Sequence, residues 1–136
     1  MKSDIDNEEI PNVIIGGDLN MILHANEKRG GSFNPDPARE QLESIMHDHD
    51  LVDIIPKNRK FTWNNCRIGA GNIMERLDCF LVDVSLISHF FVASSSILTC
   101  SGSDHYPVSL TLGDQSSLGP LRFRYNQLWC EFPEAR

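Results

Sequence analysis

Three polar clusters in this sequence combine carboxylates, an amide and an imidazole. Asp18 and Asn20 follow a pair of glycines, Asp78 lies within an apolar run, and Asp104 directly precedes His105. A carboxylate can orient or deprotonate water and can bind a divalent cation. A histidine held by a carboxylate can move a proton or donate a hydrogen bond to a phosphate. These are the groups that cleavage of a phosphodiester requires.

Each cluster also has a purely structural explanation. The carboxylate of Asp18 can cap backbone N–H groups in a Gly-Asp turn, and Asp78 can form an ion pair with Arg76. Asp104 can be a turn former, and a single histidine such as His105 is more often structural than catalytic. Asp78 and His105 lie on separate predicted strands, so only the fold can bring them together. The joint pattern is harder to explain structurally than any one cluster.

The first cluster follows a predicted strand over residues 12–16. Its β-branched residues, Val13 to Ile15, favour a strand that is buried on both faces. Gly16 and Gly17 allow a sharp turn and a close approach of a phosphate to the backbone. If the extended backbone continues, Asp18 and Asn20 project to the same side.

The rest of the pattern predicts one clear helix and several strands. Asp36 is the expected N-cap of the helix and Pro37 its first residue. The apolar stripe of this helix consists of Ala38, Leu42, Ile45, Met46 and His49. Strands are predicted at 51–55, 60–64, 76–82, 97–99 and 108–112, with a short helix or turn at 84–91. This mixture predicts an α/β fold whose loops carry the chemistry at strand ends.

The charge of the chain is uneven. The 136 residues carry a net charge of −7, which argues weakly against a protein that binds nucleic acid through its overall charge. Residues 54–74 contain no acid but include Lys57, Arg59, Lys60 and Arg67. One basic patch is therefore available to a polyanion.

Several classes of protein are disfavoured by the sequence. The four cysteines have no C-x-x-C spacing, so we expect them to be reduced and mostly buried, as in an intracellular protein. The start of the chain is acidic and lacks the apolar core of a signal peptide. The longest apolar run is too short to span a bilayer, so no membrane partner is expected.

Four motifs, in this order and approximate spacing, resemble the endonuclease/exonuclease/phosphatase superfamily. They are Gly17-Asp18-Leu19-Asn20, Phe61-Thr62-Trp63-x-Asn65, Arg76-Leu77-Asp78-x-Phe80-Leu81-Val82 and Ser103-Asp104-His105-x-Pro107-Val108. The resemblance is in particular to the apurinic-endonuclease-like domain of plant LINE-type (non-LTR) retrotransposons. Residues 120–129 also resemble the segment that joins this nuclease to a reverse transcriptase.

The resemblance implies a Mg²⁺-dependent (or Mn²⁺-dependent) phosphodiesterase that nicks DNA, on a four-layered α/β sandwich of the DNase I-like type. Asp18 would orient or activate the attacking water, and Asn20 would hold the scissile phosphate. Asp78 would orient His105, which would contact the phosphate. Asp104 would lie beside the metal.

The resemblance also implies a DNA-binding surface. Trp63 and Asn65 match a motif near the substrate groove. The basic residues Lys57, Arg59 and Lys60 are expected to contact the DNA backbone. A functional enzyme of this kind would act in the nucleus.

Two departures from the family pattern are visible. Complete members carry an upstream half with a first asparagine and a metal-binding glutamate, so we expect this chain to be the C-terminal part of the domain. Its activity would then depend on the missing half or on the reverse-transcriptase region of the same polyprotein. The expected organisation is a flexible lead-in (1–11), the nuclease part (12–113) and a linker (114–136). Cys79 stands where retrotransposon relatives usually have arginine, which would remove a positive contact.

Two alternatives stay open. One is another branch of the superfamily, acting on RNA tails, phosphoinositides or sphingolipids, although the segment after Gly113 speaks against it. The other is a non-catalytic remnant that binds nucleic acid or a partner protein.

Overall fold

The computed structural model describes residues 12–90 and 92–113. The predicted lead-in 1–11, the predicted linker 114–136 and the resemblance over 120–129 lie outside the described residues. No helix in the described part of the chain is long and apolar enough to cross a membrane.

Three small antiparallel sheets form the framework. Their strand orders are β1-β6-β3, β2-β5-β4 and β7-β8. The strands are β1 (Ile14–Asp18), β2 (Lys28–Arg29), β3 (Leu51–Asp53), β4 (Trp63–Asn64), β5 (Met74–Glu75), β6 (Asp78–Asp83), β7 (Val92–Ile97) and β8 (Val108–Gly113), and the helices are α1 (Arg39–Asp48) and α2 (Val84–Ser88). The predicted mixture of helices and strands is confirmed at this level, with strand predominating and every ladder of the described residues antiparallel.

The core lies against one face of β6, the central strand of the first sheet. Cys79 and Leu81 alternate with Asp78 and Phe80 along this strand, so the two pairs project to opposite faces. Cys79 and Leu81 are buried with Leu51 of β3. Leu19 and, from α1, Leu42 and Met46 pack against this buried group.

Helix α1 begins slightly later than the sequence predicts. The Asp36 carboxylate accepts a hydrogen bond from the Ala38 N–H (2.8 Å), and its carbonyl accepts one from the Arg39 N–H (3.0 Å). Asp36 therefore closes the turn that precedes the helix. Within the predicted stripe, Ile45 remains 47% exposed and does not join the core.

The prediction that the first strand is buried on both faces is wrong. Every residue of β1 is exposed, with Ile14 at 47% and Ile15 at 38%. β1 is the edge strand of its sheet and, among the described residues, pairs only with β6. Gly16 is required in this strand because a Cβ there would overlap the ring of Phe80.

Two smaller expectations also fail. The strand predicted at 97–99 is β7, which ends at Ile97. Leu98 still donates its backbone N–H to the Pro107 carbonyl (2.8 Å), but Pro107 has no N–H with which to complete the pair. Of the described cysteines, Cys66 and Cys100 are exposed and only Cys79 is buried. Burial raises the pKa of the Cys79 thiol to about 12.

A buried ion-pair network ties β6 to two distant segments. The Arg76 guanidinium pairs with Glu27 and with Asp53, and its side chain is only 5% exposed. Glu27 also accepts hydrogen bonds from the backbone N–H groups of Leu23 (2.6 Å) and His24 (3.1 Å). The structural alternative in which Asp78 pairs with Arg76 is therefore wrong, because Arg76 pairs with Glu27 and Asp53, and Asp78 contacts His105 instead.

The pKa of Glu27 in this network results from two opposing effects. Burial alone would raise the pKa of Glu27, but hydrogen bonds and attraction from Arg76 hold it below its ordinary value. A carboxyl with a lowered folded pKa contributes stability above its unfolded pKa and loses it as the pH falls through the folded value. The network therefore stabilises the fold at neutral pH and weakens in acid.

We expect Arg76→Met to destabilise the chain by about 3–5 kcal/mol, because it leaves two buried carboxylates without a cation. Urea unfolding followed by circular dichroism measures this change. The matched control is Arg39→Met, which removes a partly exposed pair with Glu43 on α1 and should cost less than about 0.5 kcal/mol. Equal effects of the two substitutions would contradict a stabilising role for the network.

Candidate active site

The register of the first sheet brings two carboxylates together. Asp18, the last residue of β1, lies directly opposite Asp78, the first residue of β6. Residues opposite each other in an antiparallel ladder project to the same face. Beyond the ladder, a hydrogen bond from the Leu19 N–H to the Leu77 carbonyl (2.9 Å) keeps the two chains together.

His105 reaches this pair from the loop between β7 and β8. The loop is held against β4 by an antiparallel bridge between Trp63 and His105. Two backbone hydrogen bonds flank that bridge, from Asn64 to Asp104 (3.0 Å) and from Tyr106 to Thr62 (2.7 Å). β4 therefore holds the loop that carries Asp104 and His105 close to Asp78.

The three side chains form a compact triad. His105 Nδ1 lies 3.0 Å from Asp78 Oδ2, and His105 Nε2 lies 4.0 Å from Asp18 Oδ2. One ligand atom from each residue falls within 4.8 Å of the others. Side-chain exposure rises from 17% at Asp78 to 35% at His105 and 44% at Asp18. The triad thus runs from the protein interior toward solvent.

The environment of His105 favours its charged form. The hydrogen bond with Asp78 raises the pKa of His105 above its ordinary value; burial opposes this, and the charges of Asp78, Asp18 and Asp104 add to it. A histidine with a raised folded pKa contributes stability below its unfolded pKa of 6.5 and loses that contribution as the pH rises through the folded value. The imidazolium therefore persists to higher pH than in a free histidine.

The turn-capping explanation for Asp18 is confirmed, and its second carboxylate oxygen also faces His105. Its Oδ1 accepts a hydrogen bond from the Asn20 N–H (2.8 Å), which is the turn-capping role, while Oδ2 faces His105. The backbone of Asn20 has φ +51°, so extended geometry does not continue beyond β1. The condition for placing both side chains on one side is not met, and Asn20 lines a separate cavity with Lys28 and Asp36.

Two of the remaining predicted site residues make contacts within the protein. Asp104 accepts a hydrogen bond from the indole Nε1 of Trp63 (3.0 Å) and is not part of the triad cluster, so the structure does not place it with the other ligand atoms. The Asn65 amide accepts from the Ile73 N–H (2.9 Å) and donates to the Gly71 carbonyl (2.9 Å). Asn65 therefore organises the loop between β4 and β5.

The predicted basic residues lie together on the surface. Lys57, Arg59 and Lys60 are exposed and line a cavity of about 420 Å³. Arg76 and Glu27 also line this cavity. Because Arg76 is paired with two carboxylates, the three exposed cations supply the positive charge of this region.

Thr62 is a positioning residue that the sequence did not single out by its own chemistry. It is fully buried, and its hydroxyl accepts hydrogen bonds from the N–H groups of Leu77 (2.9 Å) and Asp78 (3.0 Å). These bonds fix the backbone where the Asp78 side chain begins. No signal in the sequence indicated this role, because alternation around Phe61 and Trp63 places Thr62 with the polar side chains, whereas Thr62 is fully buried.

Cys79 does not face the triad. It is 8% exposed and packs in the core with Leu51 and Leu81, on the opposite face of β6 from Asp78. The expected loss of a positive substrate contact at this position therefore has no counterpart in the structure.

The two carboxylates of the triad are ligands of the kind that Mg²⁺ or Mn²⁺ takes, whereas the imidazole of His105 is not a typical Mg²⁺ ligand. Both ions take carboxylate oxygens, and Mg²⁺ typically keeps several waters beside one or two carboxylates. Asp18 and Asp78 supply the carboxylates, and the exposure of Asp18 leaves space for water.

We expect the pKa of His105, measured by NMR titration, to lie above that of a free histidine and to fall in Asp78→Asn. This substitution removes the direct hydrogen bond and a charge. The control, Asp104→Asn, makes the same chemical change but removes only the smallest of the charge contributions, so its effect should be smaller. Equal falls in both variants would show that the hydrogen bond is not the cause.

We expect Thr62→Val to destabilise the chain by about 2–4 kcal/mol, because two buried N–H groups lose their acceptor. Thr62→Ser keeps the hydroxyl and should cost about 1 kcal/mol for the missing methyl group. Urea unfolding gives both values. The NMR signal of His105 should shift in the valine variant only, and an unshifted signal there would argue against a positioning role.

No protein-family model, curated protein or solved structure matches this chain. A function must therefore be inferred from the chemistry of the triad and its surroundings.

Proposed function

We propose that the triad hydrolyses phosphodiester bonds with the help of a divalent cation, and that its substrate is DNA. The observation that carries this proposal is the alignment of Asp78, His105 and Asp18, with the middle residue hydrogen-bonded on one side and open on the other. A histidine with a purely structural role does not require a second carboxylate near Nε2 when Nδ1 is already hydrogen-bonded.

Asp78 and His105 act as one unit in this proposal. The Asp78 carboxylate accepts from Nδ1–H and so directs Nε2–H toward the space beside Asp18. An oxygen atom placed there can contact both Nε2 and Asp18 Oδ2, because these atoms are 4.0 Å apart. Charged Nε2–H donates to a non-bridging phosphate oxygen and stabilises the developing oxyanion.

Asp18 receives the proton of the attacking water. Its Oδ1 is held by the Asn20 N–H, which leaves Oδ2 free to orient that water. The water oxygen forms a bond to phosphorus as the bond to the leaving oxygen breaks. A bound Mg²⁺ or Mn²⁺ would neutralise charge between the two carboxylates and the phosphate.

The assignment of the chain to a family and the detailed type of its fold are also part of this proposal. The motifs around Asp18, Thr62, Asp78 and His105, which the structure brings into one region, support an endonuclease/exonuclease/phosphatase domain of the retrotransposon type. A DNase I-like four-layered sandwich, action in the nucleus and a partner region of the same polyprotein follow from that assignment.

One observation favours the non-catalytic alternative. The polar groups of Asp104, Trp63 and Asn65 form hydrogen bonds with each other or with the backbone. In that alternative the surface binds nucleic acid or a protein without cutting it. A nicking assay separates the two functions.

We expect the purified chain to nick supercoiled plasmid slowly in Mg²⁺ or Mn²⁺, because two carboxylates supply only part of the ligands of such an ion. Chelator should abolish nicking, and Asp18→Asn or His105→Gln should lower it by roughly 10²-fold or more. Gel separation of nicked from supercoiled plasmid gives the rates.

Asp48→Asn and His47→Gln are matched controls, since they make the same changes on the exposed surface of α1 and should leave nicking unchanged. Nicking that survives in both triad variants would overturn the assignment. Complete absence of nicking in the parent chain would contradict catalysis by this chain alone and would fit the non-catalytic module or the expected dependence on the missing half. Stronger competition by phosphoinositides or sphingomyelin than by DNA would point to another branch of the superfamily.

A further inference from the structure

A basic and aromatic surface adjoins the triad. A cavity of about 290 Å³ is lined by Arg59, Lys60, Phe61, Met74 and Tyr106. Tyr106 also lines the cavity that contains Asp78 and His105. Arg59 and Lys60 also line the larger basic cavity described above. The three depressions therefore share walls and follow one another from the triad to the basic patch.

Cations lie over the aromatic rings of this surface. The guanidinium carbon of Arg59 is 5.7 Å from the centre of the Tyr106 ring, and Lys60 Nζ is 5.8 Å from that of Phe61. Arg29 approaches the Phe61 ring as well, at 5.9 Å. Within the described residues, Arg59 and Lys60 have no carboxylate within salt-bridge distance. Their charges remain available to an anionic ligand.

We propose that this surface binds a single-stranded segment of DNA next to the bond that is cut, with bases stacked on Tyr106 and Phe61 and phosphates paired with Arg59 and Lys60. The proposal rests on the proposed function and names the form of its substrate. Cations beside half-buried aromatic rings are the combination by which proteins bind single strands.

Both parts of the surface argue for an unpaired strand. In a duplex the bases are stacked on each other, so their faces cannot reach rings that line a cavity. An unpaired base can enter the cavity and place its face on a ring. A phosphopeptide would use the cations but would leave the rings without a partner.

The position of Tyr106 connects the surface with catalysis. It directly follows His105 in the chain, and its backbone N–H is fixed by the Thr62 carbonyl (2.7 Å). Because His105 and Tyr106 line one cavity, a base stacked on Tyr106 would lie near a phosphate at His105 Nε2. The strand would then continue over Arg59 and Lys60.

Fluorescence anisotropy in chelating buffer tests this proposal without catalysis. The probes are a labelled 15-nucleotide DNA strand without self-complementarity and the same strand annealed to its complement. We expect the single strand to bind at least 5-fold more tightly than the duplex. Tyr106→Leu and Phe61→Leu should each weaken single-strand binding by about 5- to 100-fold, the range for loss of one base–aromatic stack, and change duplex binding less than 2-fold.

Arg59→Gln should weaken binding of both probes and reduce their salt dependence. The matched controls are Phe90→Leu and Arg39→Gln, which alter an exposed aromatic residue and a cation elsewhere and should bind like the parent chain. Circular dichroism and the NMR signal of His105 show whether each variant keeps its fold.

The outcomes separate this proposal from the proposed function. The stacking surface would be overturned if the aromatic variants weakened binding of both probes equally or of neither probe. It would also be overturned if the duplex bound more tightly than the single strand, or if the single strand showed no saturable binding. Retained single-strand preference in a chain that never nicks plasmid would support the stacking surface and contradict hydrolysis.

Discussion

The antiparallel register that sets Asp18 opposite Asp78 imposes the main constraint on this protein. Like charges directly opposite each other on one face of a ladder repel, and here they stand at the end of the ladder with no pair beyond them. A positive charge between them relieves the repulsion. His105 lies beside both carboxylates, and the hydrogen bond with Asp78, together with the charges of Asp78, Asp18 and Asp104, raises its pKa. The bridge between its loop and β4 holds the imidazole in this place. In the proposed function, the same two carboxylates would hold a divalent cation.

Buried hydrogen bonds keep the inner half of the site rigid, whereas the outer half is open. Thr62 and Arg76 fix the chain on either side of Leu77 through buried contacts, so Asp78 enters β6 in one position. Asp18 lies on an exposed edge strand and is held mainly by the ladder and by its own turn with Asn20. A fixed Asp78–His105 pair with a more accessible Asp18 suits chemistry in which one carboxylate orients the histidine and the other exchanges protons with water.

Residue types predict the elements of this fold better than the contacts between them. Alternation and β-branching locate β6 and β8, but the prediction that the first strand ends at the glycine pair is wrong, because Gly16 and Gly17 pair with β6 and β1 continues to Asp18. The burial of β1 is mispredicted because apolar side chains suit an edge strand as well as a central one. The Asp104–Trp63 contact and the Arg76 network join segments far apart in the chain, so no local pattern reveals them. The expectation that Asn20 projects to the same side as Asp18 fails because a single positive φ, which asparagine tolerates, ends the alternation.

The negative net charge is compatible with a polyanionic partner because the charges are segregated. At physiological ionic strength, exposed charges farther apart than about 8 Å are largely screened, so a ligand senses its local surroundings more than the total of −7. Arg76 adds little to the local field, since Glu27 and Asp53 neutralise it. Lys57, Arg59 and Lys60 are exposed on one wall of the adjoining cavities. In the proposed function, their field would favour a phosphate chain along the cavities that lead to Tyr106 and His105.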